Sequence, residues 1–411
     1  MSSKSTAIKD VILISSKNER IPLSSMYSEI NLFEDIYSNF VSGNISVVDT
    51  LGILPKFGVI GYETLTFVFD INNKTVEKDF FVYSISNRES LNESSNFFIL
   101  NFISYEGIID SRITVSQKFT GSYSDMASEI FKKYKSQKSF YTTEEKSNTQ
   151  FVSPLWNPSK ILNSLSQRAI SNNDDRDFFF FETILNGFKF ASLNGIRKAQ
   201  NENYKKYNYT IMNTNITDAT DNSDTGNIRE YKIIKSFDSL ENTIAGGVAS
   251  RALYIDLNTK QIIPQDFSQN EYKKDITYIP NTDLTNKSPS KIYDCYNIVG
   301  YECAGLYDGK LSNKTQYPEN WQQHRITELS NFQNVKLQLT VFGDMYLSAG
   351  DTIEVYIPKG ALPSQNNNPI DDVISGLFYI TSLRQFINKN IHYTSIEICK
   401  SVPDKKLNNI G

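Results

Sequence analysis

Runs of alternating apolar and polar residues dominate both ends of the chain. AIKDVILISS, starting at Ala7, predicts a first strand, and NISVVDT, residues 44–50, another in which Ile45 and Val47 alternate with polar neighbours. ETLTFVFDI (63–71), DFFVYSIS (79–86) and NFFILNFIS (96–104) are rich in aromatic and β-branched residues and predict a meander or small barrel. The stretches at Asn72-Asn73 and from Asn87 to Ser95 between them predict turns or loops. Leu32, Ile36 and Phe40 recur every four residues, a spacing that fits either a short helix or an irregular barrel edge.

The period then changes. In YSDMASEIFKKYKS (123–136), Ala127, Ile130, Phe131 and Tyr134 share one helical face, and Ser122 with Asp125 resembles a capped start. Pro158 suits the first turn of a second helix, with Ile161, Leu162, Leu165, Ala169 and Ile170 as its apolar stripe. DFFFFETILNGFKFASL (177–193) predicts a hairpin turning at Asn186-Gly187, with Phe178 to Phe181 buried on both faces. Between 194 and 230 periodicity is lost, and NTNITDATDNSDTGN predicts an exposed loop. From 240 to 320 little beyond YIDL has strand character. A short helix carrying Ile326, Leu329 and Phe332 then precedes KLQLTVF, DTIEVYI, GLFYITSLRQFI and HYTSIEICK, all strand-like.

The two ends echo each other. GYETLTFVF from Gly61 matches GDTIEVYI from Gly350, each with glycine, an acid and threonine before an alternating strand. FFVYSISN (80–87) matches LFYITSLR (377–384), and equating Val82 with Tyr379 equates Ile99 with Ile396 at equal spacing. Two similar β units with other material inserted between them are therefore expected. Three subunits of two units each, around a closed threefold axis, would present six approximately equivalent positions.

Composition narrows the function. With 24 Tyr and 26 Phe the chain favours sheet-rich folded structure. Lys plus Arg number 42 against 46 Asp plus Glu, so no basic field exists for gripping phosphate backbones. No window approaches a membrane span, the start lacks an apolar secretion signal, and assembly in the cytoplasm is expected. Cys295, Cys303 and Cys399 form no disulfide framework, and His324 and His392 are too isolated for a zinc motif. Asp174, Asp175 and Asp177 lack calcium-loop spacing and read as a solvated turn. Glu34 and Asp35 are adjacent acids without a second feature marking a cleft. No catalytic residue, cofactor or metal is assigned, against the alternatives of a peptidoglycan hydrolase or peptidase and a carbohydrate-binding module.

NLFEDIYSNFVSGNISVVDT with GYETLTFVF at the front, SPLWNPSKILNSLSQRAIS in the middle, and HRITELSNF, KLQLTVFGDMYLSAGDTIEVYIP and GLFYITSLRQF at the back resemble the baseplate central hub family of T4-like contractile-tailed phages. The resemblance covers most of the chain, and its motifs are structural; a spike-platform hub of another contractile injection system is its nearest variant. It implies a mainly β fold with minor α: two similar tail-tube-like antiparallel β-barrel domains with an intervening mixed α/β domain. The division expected is a first barrel over 1–115, the mixed domain over 116–330, from which a strand is available to complete a barrel, and a second barrel with C-terminal tail over 331–411.

The implied assembly is a homotrimeric, pseudo-sixfold ring in the virion tail baseplate. It adapts a separate trimeric central spike to the hexameric tail tube or tube initiator, with baseplate wedge proteins outside and DNA passing through its channel. Gly61, Glu63, Gly350 and Asp351 are the candidate barrel-turn or interface residues, and Trp156 the candidate packing anchor.

Overall fold

The structure is a computed structural model that describes residues 8–71, 74–92, 95–209, 226–247, 249–256, 260–268, 296–301, 318, 321–359, 370–371 and 373–400. Cys295, Cys303, residues 210–225 of the Asn-rich loop and residues 361–369 of the second polar loop lie outside the described residues.

Seven antiparallel strands form the N-terminal unit, in the spatial order Tyr27–Asp35, Ser42–Asp49, Ser95–Ser104, Lys74–Asn92, Thr64–Ile71, Ile8–Ile14 and Arg20–Pro22. Alternation sends Val11 and Leu13, Ile30 and Leu32, Ile45 and Val47, Leu65 and Phe67, and Leu100 and Phe102 into one shared core, all fully buried. The segment carrying Leu32 is extended rather than helical, since a spacing of four is a multiple of the strand period as well as close to a helical turn. The expected loop from Asn87 to Ser95 is largely strand, with the hairpin arms running to Asn92 and from Ser95 through several bulges.

Six strands close the C-terminal barrel. Lys205–Tyr209, Asn227–Ser236, Val335–Phe342, His392–Lys400, Gly376–Ile387 and Thr352–Tyr356 follow one another around it, and the last pairs back to the first in parallel register, Lys205 opposite Ile353. Leu337, Leu339, Val341, Ile353, Val355, Phe378, Ile396 and Ile398 fill it together with Tyr207 and Ile228. Closure removes the edges that an open sheet would leave.

Among the described residues one closed barrel is therefore present where two were expected. In the N-terminal unit the strands Ile8–Ile14 and Tyr27–Asp35 share no ladder. The gap is bridged by the Leu23–Met26 turn, where the N–H of Leu23 donates to the carbonyl of Val11 at 2.8 Å and the N–H of Val48 to that of Met26 at 2.9 Å. In the C-terminal unit the corresponding seam is filled by a strand from the middle of the chain.

Between the two units, helices Tyr123–Phe131 and Pro158–Arg168 pack on a hairpin of Phe178–Thr183 and Gly187–Ser192. Ser122 and Asp125 form the reciprocal cap of the first helix. The hairpin phenylalanines divide by parity: Phe178 and Phe180 enter the helical core, Phe179 and Phe181 a second core with Ala349 and Phe332. Its turn spans three residues rather than two, and Gly187 alone takes a positive φ, +72°. The helix Gln322–Phe332 is tied to this layer by Arg325, whose guanidinium donates to the carbonyls of Arg176 and Phe178 at 2.5 and 2.9 Å. A further three-stranded sheet combines Ala249–Asp256, Gln261–Ser268 and Tyr296–Tyr301.

Candidate functional site: the junction of the two β units

The strand Gly376–Ile387 belongs to both units. Its first half pairs with Thr352–Tyr356 and closes the barrel. At a bulge between Ile380 and Ser382 that edge changes partner, and Ser382 to Ile387 pair antiparallel with Asp35 to Ile30 of the N-terminal unit. One continuous ladder thus runs through both units.

The bulges also reveal how the units correspond. In the N-terminal unit the long strand has its bulge between Val82 and Ser84, and the N–H of Val82 donates to the carbonyl of Glu63 at 2.8 Å. In the barrel the bulge lies between Ile380 and Ser382, and the N–H of Ile380 donates to the carbonyl of Asp351 at 2.8 Å. A second pair of bulges, at Tyr27/Glu29 and Ile228/Glu230, matches Tyr27–Asp35 with Asn227–Ser236. The sequence echo is real but shifted by one residue: Val82 corresponds to Ile380, not Tyr379. Their cross-strand partners are Phe102 and Ile398, so the equal spacing read through Ile99 and Ile396 does not hold.

Each candidate turn residue has a distinct place. Gly61 and Gly350 both adopt positive φ, +96° and +85°, which suits glycine. Glu63 is buried, and its carboxylate accepts the N–H groups of Ile60, Gly61 and Tyr62 at 2.9, 2.8 and 2.9 Å, organising the turn before its strand. Asp351 accepts the N–H of Ser348 at 3.1 Å and lies 3.6 Å from the ammonium of Lys189 in the central hairpin. Burial raises the Asp351 pKa against the opposing pull of Lys189. Trp156 is half-buried at the margin of the helical core, beside Phe151 with ring centroids 6.5 Å apart and under Lys160, whose Nζ is 4.6 Å from its ring. It is remote in sequence and packing from the turn residues.

Two buried carboxylates that the sequence did not single out for this role fasten the hairpin to the junction. Glu34 accepts the N–H of Ile184 at 2.7 Å and of Ala349 at 2.8 Å, joining three parts of the chain. Burial pushes its pKa up to about 7, although those two donors and Lys189 oppose the shift. Glu182 accepts the N–H of Val41 at 2.9 Å and the ammonium of Lys138 at 2.7 Å, and Lys138 also reaches Glu106 at 2.6 Å. Burial works against the Lys138 charge, but Glu182 and Glu106 together hold its pKa above the ordinary value.

Asp35, adjacent to Glu34, instead caps its own turn by accepting the N–H of Tyr37 at 2.7 Å, so the adjacent acids share no cleft. Asp177 departs from the solvated turn expected of its acidic cluster: it is buried and its pKa is pushed up to about 7 by burial, with Glu328 and Asp175 adding to the shift. Among the described residues no group of three or more His, Cys, Asp or Glu is gathered to hold a metal ion, and no helix is long and apolar enough to cross a membrane. The site is built for joining, with its carboxylates committed to backbone donors.

No protein-family model matches the chain, and no curated protein matches its sequence. Solved structures do. The tail protein from Neisseria meningitidis MC58 aligns over 95% of this chain and 96% of its own, at a TM-score of 0.56 and 10% identity. The 43 kDa tail protein of prophage MuSo2 from Shewanella oneidensis aligns over 96% of this chain and 100% of its own, at a TM-score of 0.54 and 10% identity. The chain therefore shares, along nearly its whole length, the fold found in these two tail proteins.

Proposed function

We propose that this protein is a structural hub of a contractile tail baseplate, acting as a homotrimer whose six β units form a pseudo-sixfold ring. The observation that carries the reading is the strand Gly376–Ile387, which joins two corresponding units side by side through a hydrogen-bonded ladder. A junction of that kind, repeated between copies, generates a ring when the rotation closes. Two units per chain and three chains match a threefold spike on one face and a sixfold tube on the other. The fold shared with two tail proteins supports the same assignment.

On this reading one face binds a separate trimeric spike, the other a hexameric tail tube or its initiator, wedge proteins surround the ring, and DNA passes along its axis without sequence-specific contacts. Assembly takes place in the host cytoplasm before incorporation in the virion. The chain divides into an N-terminal unit over 1–115, a middle domain over 116–330 and a C-terminal unit over 331–411, the last completed by strands from the middle domain. Gly61, Glu63, Gly350 and Asp351 shape the turns that set the two units at equivalent angles, and Trp156 anchors the middle domain. The work is mechanical and requires no catalytic residue.

Light scattering coupled to size-exclusion chromatography tests the proposal. A homogeneous species at three times 46.9 kDa is expected. A monomer at every concentration would overturn it.

A further inference from the structure

The correspondence between the units leaves one half of each repeated junction unaccounted for within the chain. Inside the molecule, Ser382–Ile387 lies against Ile30–Asp35. The counterpart of the first segment begins at Ser84, just past the matching bulge, and the counterpart of the second lies in Lys232–Ser236, past the other. Ser84 to Asn92 pairs with Ser95–Ser104 on one edge, and on the other no described strand pairs with it, because Thr64–Ile71 ends its pairing at Phe81. Glu230 to Ser236 pairs with Val335–Phe342 on one edge, while Lys205–Tyr209 reaches only Asn227 and Ile228 on the other.

Both edges carry the apolar surface of an uncovered contact. Tyr83 and Leu91, on the first, are 51% and 55% exposed. Ile233, Ile234 and the adjoining Phe237, on the second, are 45%, 44% and 45% exposed. By contrast Leu32, the counterpart of Ile233 at the internal junction, is fully buried. A strand edge without a neighbouring strand and with exposed apolar side chains favours strand addition, which soluble chains otherwise suppress.

We infer that the edge Ser84–Ser90 of one copy pairs antiparallel with the edge Lys232–Ser236 of the next, reproducing between chains the ladder that Ser382–Ile387 and Ile30–Asp35 form within one. The occupant is a second copy of this chain, because the contact is the internal junction repeated with the corresponding strands. The two edges lie on different units, so the contact is head-to-tail and each copy offers one edge to each neighbour. Backbone pairing sets the direction, and Tyr83, Ile233 and Ile234 become covered as Leu32 is. This inference rests on the ring proposed above and adds to it which strands make its seams.

Disulfide trapping separates the two ideas. Opposed residues of paired strands lie within the Cα separation a disulfide spans. Ser86→Cys is combined in turn with Ile234→Cys, Lys235→Cys and Ser236→Cys, since each strand has a bulge within the contact, at Ser86/Glu89 and at Ile233/Lys235, that moves the register. Each double variant is purified, its native mass measured, and then oxidised and run under denaturing conditions.

A native trimer in which at least one pair yields covalent dimers and trimers, while each single variant and Thr75→Cys with Lys235→Cys stay monomeric on the gel, is the expected result. A native trimer in which none of the three pairs bridges copies would overturn the edge assignment and leave the ring standing. A monomer would overturn both. Ile234→Asp is the second variant: it is expected to lower the trimer fraction at least tenfold at fixed concentration while leaving the circular dichroism spectrum unchanged. An Ile234→Asp protein that stays fully trimeric would count against the contact.

Discussion

Glu34 of the N-terminal unit accepts the backbone N–H of Ala349, from the turn that leads into the C-terminal barrel, at 2.8 Å. Its other oxygen accepts Ile184 of the central hairpin at 2.7 Å. One side chain thus holds together three segments that are far apart in sequence, at the point where the two β units meet.

Replacing Glu34 by Gln turns one of those acceptors into an amide N–H facing a backbone N–H. The expected loss is about 1–3 kcal/mol, as for a buried donor left unsatisfied. The pH dependence follows from the raised folded pKa, about 7 against 4.5. Between those values the unfolded chain has released the proton that the folded chain keeps, so Glu34 lowers stability as pH rises from 4.5 to 7. Urea unfolding at pH 5 and pH 8 is expected to show the Gln variant well below the native protein at pH 5 and closer to it at pH 8. A gap that widens with pH would refute the assignment.

The Lys138 ammonium lies 2.6 Å from Glu106 and 2.7 Å from Glu182, and both carboxylates are buried. Lys138→Met leaves two buried acids facing each other without their cation, at a cost of about 3–5 kcal/mol. Adding Glu182→Gln to Lys138→Met is expected to restore part of that loss, because one of the two negative charges is removed. Chemical denaturation of the single and double variants measures both effects; a double variant less stable than the single would mean that the Val41 contact outweighs the charge.

The turn glycines look alike in sequence and differ in their surroundings. A Cβ on Gly61 would meet nothing nearer than the carbonyl of Tyr83 at 3.5 Å, whereas one on Gly350 would lie 2.7 Å from the ring of buried Phe181. Both alanine variants carry the positive-φ cost of about 1–2 kcal/mol. Gly350→Ala adds an overpacking cost of about 1–3 kcal/mol. The thermal midpoint is therefore expected to fall further for Gly350→Ala than for Gly61→Ala, and equal falls would show that the Phe181 ring yields freely.

What could be read from the chain before its structure follows the strength of each local pattern. Val335–Phe342 alternates cleanly because one face is buried and the other is not, whereas Thr64–Ile71 is buried on both faces from Leu65 to Phe69 and was legible from its aromatic and β-branched residues. Lys205–Tyr209 was not: only Tyr207 is fully buried among Lys, Asn and exposed neighbours, which leaves no period to detect. The repeat was visible in Gly61 and Gly350, but its alignment slipped by one because the apolar run opening residues 80–87 fits 377–384 and 378–385 alike, and only the corresponding bulges at Val82/Ser84 and Ile380/Ser382 fix the register. Glu34 and Glu182 gave no signal, since a buried acid and a solvated acid are the same letter, and their roles depend on donors more than a hundred positions away.

The parallel strand Lys205–Tyr209 closes the barrel by joining Thr352–Tyr356 to Asn227–Ser236, and Tyr207 at its centre is 1% exposed in the barrel core. A fragment of residues 331–411 lacks both of these staves. It would expose two ladder edges and the apolar faces of Ile353 and Leu337, a combination that favours edge-to-edge aggregation over folding. Deleting 205–236 from the full chain applies the same test in place. Hydrogen exchange is expected to lose protection over Val335–Phe342 and Thr352–Tyr356 while Thr64–Ile71, whose partners all lie in the first hundred residues, keeps it. Retained protection in both barrel strands would mean that four strands suffice and that the middle of the chain decorates the barrel rather than completing it.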